Sequence, residues 1–298
     1  MSQAIATIGI LGFGEVGSRL LEDLLAHNDS HLVLWDKQFA SADSRASERL
    51  NDIDSTHRVS VAASARDMAA QCDLIISAVT ASQALHAAED ALSGIRAGAY
   101  YMDVNSVSPE TKKAMAELIN PRGGRFVEAS IMSPIDPKRI ASPMLLAGPY
   151  AEDFAPIINA LGFIGAEACA AQYGVAAATK MCRSVMIKGM EALVTESLLA
   201  AKYYGVEDAV LGSLNNLFPR PDWPQHARYL ISRSIEHGVR RAEEMREVAN
   251  TVADSGQTPW MSSACVERQD WAPQFTEALQ YEDLHDMLTA MRAHMDAN

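Results

Sequence analysis

Three glycines stand at a spacing that lets a backbone approach a phosphate: Gly12-Phe13-Gly14-Glu15-Val16-Gly17, directly after an apolar run at residues 4–11. In a Gly-x-Gly-x-x-Gly turn the first glycine makes the tight turn, the second admits a pyrophosphate against the backbone, and the third lets helix pack on strand. The helix N-terminus that follows offers unpaired N–H groups and partial positive charge. With a strand before it and a helix after it, the motif has the context it needs. Gly12, Phe13, Gly14, Glu15, Val16 and Gly17 are therefore read as a dinucleotide cradle. Asp36 closes a second apolar run, Leu-Val-Leu-Trp. An acidic residue there holds the ribose 2′-hydroxyl of NAD. Lys37 and Arg45 beside it leave NADP open, so NAD is the expected cofactor and NADP the alternative.

A second set of residues has the types needed for proton transfer. Lys180, Arg183, Ser184 and Lys188 lie on one helical run over residues 175–204. A lysine gives or takes an alcohol proton when burial or neighbouring cations lower its pKa. Arg183 and Lys188, three and eight positions on, fall near the same face and would supply that pressure. Ser184 is one turn beyond Lys180 on that face. A helical lysine more often snorkels from the surface, and the helix alone favours that reading. Arg183 has the fork that grips a carboxylate, and is as readily a surface ion pair. Asn105, Ser106 and Ser108 occupy a polar turn at the carboxyl end of a strand, where doubly wound sheets bind ligands. Ser108 also suits the cap of a helix opening at Pro109. His226 follows a proline-rich break at residues 217–224 and is a weaker candidate, because a lone histidine is commonly structural.

These groups need a scaffold, and the periodicity describes one. Strands are expected at 4–11, 31–35, 58–61, 74–78, 99–103, 125–130 and 144–147, with helices at 16–26, 44–50, 65–70, 82–92, 109–119 and 153–161 between them. Such alternation gives parallel βαβ units and a doubly wound Rossmann-type sheet. After residue 174 only helical runs follow, at 175–204, 207–217, 225–253 and 273–297, with Gly205 placed to cap the first. The expected domains are 1–172, binding the dinucleotide, and 173–298, all-α, joined by a long interdomain helix. Trp223, Trp260 and Trp271 are expected to anchor helix packing, and Met181, Met186, Met190, Met245 and Met261 to fill the α core.

Composition excludes several classes. The chain has 298 residues and a net charge of −13, which disfavours nucleic acid and anionic membranes as partners. An anionic substrate would then need a local cation. The four cysteines form no C-x-x-C pair and read as free thiols in a reducing cytoplasm. The N-terminal residues lack the basic start of a signal peptide, and no apolar run is long enough to span a membrane. No metal-binding pattern and no Gly-x-Ser-x-Gly elbow occurs.

Four segments, in order, carry a resemblance to a known family: GILGFGEVGSRL, AVT at 78–80, DVNSVSP at 103–109 and GVAAATKMCRS at 174–184. Together they resemble the β-hydroxyacid dehydrogenase superfamily, which includes 3-hydroxyisobutyrate and 6-phosphogluconate dehydrogenases. The likeness is greatest to a phosphogluconate-dehydrogenase-like branch with a similar Lys-Met-Cys-Arg-Ser. It covers essentially the whole chain. It implies an NAD(P)-dependent oxidoreductase acting on CH–OH groups, with its site in the cleft between the domains. Lys180 becomes the general acid and base. Ser184 stands where the family has Asn, orienting the substrate. Val79 and Thr80 line the cofactor, Asn105 contacts both substrate and nicotinamide ribose, and Ser106, Ser133, Arg183 and His226 face the substrate. A homodimer and a small, anionic substrate are implied as well. The chain departs from the pattern at Ala176, Ser184, Pro134 and Ile135. Proline has no N–H to offer, so substrate binding must differ near Ser133, and 6-phosphogluconate and 3-hydroxyisobutyrate are disfavoured. Two alternatives stay open: an NADPH-dependent imine or keto reductase with Lys180 as proton donor, and a dinucleotide sensor without turnover.

Overall fold

The computed structural model describes residues 5–51, 53, 57–214, 222–254, 256 and 258–297. The chain forms two compact units, Met1–Met181 and Cys182–Asn298. The expected strand start at Ala4 and most of the proline-rich break, 217–221, lie outside the described residues.

The first unit is built on one eight-stranded sheet: β1 (Thr7–Leu11), β2 (His31–Trp35), β3 (Val59–Val61), β4 (Leu74–Ser77), β5 (Tyr100–Asp103), β6 (Arg125–Ile131), β7 (Met144–Ala147) and β8 (Ala166–Ala170). Their spatial order is β3-β2-β1-β4-β5-β6-β7-β8. Central strands read as continuous apolar runs because both faces are covered by helices. Alternate residues serve opposite faces: Ile8, Ile10, Leu32, Leu34, Leu74 and Ile76 enter one core, and Leu11, Val33, Ile75 and Tyr101 the other. The covering helices are α1 (Glu15–His27), α2 (Arg45–Asn51), α3 (Ala65–Ala69), α4 (Ala84–Leu92), α5 (Pro109–Ile119) and α6 (Ala151–Ala160).

The sheet differs from expectation in two places. β7 runs antiparallel to β6, because the connection between them holds only a short 3-10 turn, Arg139–Ala141, and no crossover helix. β8 was not anticipated. Its sequence, AEACA, is poor in strand-forming residues and lies at the sheet edge, largely exposed.

Helix α7 (Val175–Tyr204) carries the boundary between the units, and α8 (Glu207–Leu214), α9 (Trp223–Asp254), α10 (Trp260–Trp271) and α11 (Leu284–Ala297) follow it. The α7 end is closed at Gly205, where Val206 N–H donates to the Ala201 carbonyl at 3.1 Å. Helix α10 was not foreseen. The expected single helix 273–297 divides into a 3-10 stretch, Ala272–Gln280, and α11, with Asp283 Oδ1 accepting from His285 N–H at 2.8 Å at the new start. Trp223 and Trp271 do pack, but Trp260 is 77% exposed and anchors nothing. Met181 and Met245 are buried, whereas Met186 and Met261 are exposed, so methionine is only partly core filler here.

Candidate functional site

Residue pairing across the sheet sets a level line. Leu11 pairs with Ser77, Ser77 with Asp103 and Asp103 with Glu128. This row marks the carboxyl ends of β1, β4 and β5, and the segments leaving it emerge along one edge.

The glycine turn leaves first. Gly12 has φ +97 and donates its N–H to the Trp35 carbonyl at 2.9 Å. A Cβ on Gly12 would lie 2.5 Å from the Ala78 oxygen, and one on Gly17 would strike the Gly12 carbonyl. A Cβ on Gly14 would meet nothing within 4 Å. The turn is thus packed shut at its ends and open in its middle. Gly14 caps α1 with no side chain, and the first intrahelical bond is Ser18 N–H to Gly14 O, so the amides before it point out of the helix end. That surface fits a pyrophosphate. Phe13 contributes backbone only, since its ring is buried against Phe39 with centroids 5.7 Å apart. Glu15 is exposed and Val16 packs on the core. Asp36 Oδ2 accepts from Phe13 N–H at 2.6 Å and Oδ1 from Gln38 N–H at 2.8 Å, tying the carboxylate to the turn.

Asn105 is buried at the next strand end. Its Oδ1 accepts from Val79 N–H at 2.7 Å, and its Nδ2 donates to Ser77 Oγ at 2.9 Å and to the Asp103 carboxylate. Asp103 is held in turn by Lys112 of α5, whose Nζ donates to Oδ2 at 2.5 Å and to the carbonyls of Asp103 and Ala129 at 2.8 and 3.2 Å. The amide therefore latches the end of β4 to the end of β5. Thr80 is exposed and Ser106 half-buried. Ser108 caps α5 by accepting from Thr111 N–H. Ser133 is half-buried, its Oγ donating to the Pro134 carbonyl at 2.9 Å. Its loop is pinned to α1 by Arg139, at φ +53, which pairs with Glu22 and Asp23.

Helix α7 starts on the same row. Fully buried Glu128 accepts from Gly174 N–H at 2.5 Å and Ala177 N–H at 2.6 Å, satisfying first-turn amides that carry positive dipole charge. Lys180, half-buried, lies one turn further along. Arg183, Ser184 and His226 belong to the second unit. Arg183 is exposed and Ser184 buried, and His226 stands edge-on to Trp223 with centroids 5.6 Å apart. Lys188 is buried. Its Nζ pairs with Glu244 and lies 3.5 Å from Ser184 Oγ. Burial pushes the Lys188 amine below the usual lysine range; Glu244 opposes this, while Arg241 and Arg240 push further down.

Sequence reading missed Lys112, Glu128 and Arg139. Glu128 alone left a signal, as the one acid inside the apolar strand RFVEASI. A buried Lys112 is indistinguishable in sequence from exposed Lys113.

The fold and the turn define a Rossmann-type dinucleotide-binding protein. Residues 7–174 match the NAD binding domain of 6-phosphogluconate dehydrogenase, and residues 201–272 match a domain of unknown function, DUF1932. The chain belongs to the 6-phosphogluconate dehydrogenase NAD-binding family. Among solved structures it is similar to a conserved hypothetical protein from Sinorhizobium meliloti 1021, 33% identical, covering 98% of each chain at a TM-score of 0.73. A conserved protein of unknown function, described as structurally similar to 3-hydroxyacid dehydrogenases, is 31% identical over 90% of this chain and 97% of its own, with a TM-score of 0.67. The Mycobacterium tuberculosis 3-hydroxyisobutyrate dehydrogenase shares the fold at 16% identity, covering 97% and 99% of the two chains with a TM-score of 0.67.

Proposed function

We propose that the protein transfers a hydride between NAD(P) and a small hydroxyacid, or another alcohol or oxo substrate, with Lys180 as general acid and base. The observation that carries this reading is the level row Leu11, Ser77, Asp103 and Glu128. It brings the open glycine turn, the Val79 segment, the Asn105 latch and the start of the Lys180 helix out along one edge of one unit.

The turn's outward amides and Gly14 hold the pyrophosphate, and Asp36 favours the NAD ribose over a 2′-phosphate. Held by these residues, NAD(P) would supply the hydride acceptor for oxidation or the hydride donor for reduction. In oxidation the Lys180 amine takes the hydroxyl proton as hydride leaves the same carbon. In reduction the ammonium returns a proton to the carbonyl oxygen. Ser184, Asn105, Ser106, Ser133, Arg183 and His226 orient the substrate, which we take to be anionic. The working form is a homodimer in the cytoplasm. The decisive experiment is a screen of small hydroxyacids and oxoacids with both cofactors, read by nicotinamide absorbance. Turnover with NAD in preference to NADP is expected, and Asp36→Ala should narrow that preference. Cofactor binding with no turnover across the panel would favour the sensor instead.

A further inference from the structure

Helix α7 buries a polar stripe at one-turn spacing, Ser184, Lys188, Glu191 and Thr195. Glu191 pairs with Arg241 of α9, and Thr195 donates its hydroxyl back to the Glu191 carbonyl at 2.7 Å. Thr179 does the same with Val175 at 2.9 Å. Ser184 does not. An ammonium has three N–H donors and no acceptor, so at 3.5 Å Ser184 Oγ receives from Lys188 Nζ and keeps its own O–H to give. Among the described residues that O–H has no acceptor, although Ser184 is only 5% exposed. Lys188, 7% exposed, gives to Glu244 and Ser184, and among the described residues its third N–H has no acceptor. Two adjacent buried groups, one cationic, thus each keep one donor hydrogen with no acceptor among the described residues. Arg240 and Arg241 add positive potential at the amine. The whole chain carries −13, so an anion needs such a local cation.

We propose that Ser184 and Lys188 form a carboxylate-binding site, in which the Ser184 hydroxyl and the Lys188 ammonium each donate to a small organic acid. This deepens the proposed function, since it rests on Ser184 facing the substrate. It makes Lys188 a specificity residue: Glu244 holds the ammonium in place, and the incoming acid takes the unspent donors.

The test is calorimetric titration of the NAD-loaded full-length protein with 3-hydroxypropionate and with its neutral amide. The wild type should prefer the anion by about tenfold or more, the worth of a hydrogen bond to a charged group. The double variant Lys188→Met/Glu244→Gln, which strands no lone carboxylate, should lose that preference. Ser184→Ala, which leaves the ion pair intact, should weaken it. Lys180→Ala should keep it. No preference in the wild type, or an undiminished one in the double variant, overturns the site. If Lys180→Ala turned over normally while the preference still followed Lys188, the catalytic reading alone would fall.

Discussion

Gly14 and Gly17 lie three positions apart and should respond oppositely to one methyl group. Gly17→Ala drives a Cβ into the Gly12 carbonyl. It should destabilise the first unit by about 1–3 kcal/mol, the usual cost of overpacking, read by denaturant titration. Gly14→Ala meets only open space, so its stability should match wild type while NAD affinity falls at least tenfold in the same protein. The cysteines separate as cleanly. Burial pushes the Cys72 thiol up to about 12 and raises Cys265 as well, whereas Cys182 is exposed. Alkylation of the native protein followed by mass spectrometry should label Cys182 first and leave Cys72 untouched until unfolding. At this scale the glycines were legible in sequence because a spacing encodes their backbone role. Lys112 was not, nor was the burial of Lys188, because burial of a lysine is decided by what packs over it.

Among elements, the start of α7 is the most consequential. Its first amides end on the Glu128 carboxylate rather than on a local cap. Glu128→Ala strands two buried N–H groups and should cost about 2 kcal/mol or more, seen as an earlier denaturant midpoint for the first unit. An unchanged midpoint would remove Glu128 from this role. The strands of the sheet centre were readable because burial on both faces writes continuous apolar runs. The edge was not: β8 owes its existence to pairing with β7. The direction of β7 follows from a connection that forms only a short 3-10 turn and no crossover helix, which no residue pattern announces. The division of 273–297 depends on Asp283 as a cap, a signal easily lost in a polar run.

At the scale of the whole molecule, the second unit leaves large apolar side chains in the open, among them Met186, Leu193, Tyr203 and Tyr204 of α7. A chain that buries them against a second copy should travel at twice 32.3 kDa in light scattering after size exclusion. A monomer at working concentration would end the dimer proposal. Fold class and cofactor domain were legible because strand, turn and helix recur in a fixed order. The substrate was not, since Ser184 and Pro134 depart from the pattern that would name it. The central claim is proton transfer by Lys180 to a substrate held beside bound dinucleotide. Its most direct measurement is turnover and NAD affinity of Lys180→Ala on the best substrate from the screen. A kcat lowered about 10²–10⁴-fold with NAD affinity unchanged is the predicted result; a kcat close to that of the wild type would contradict it.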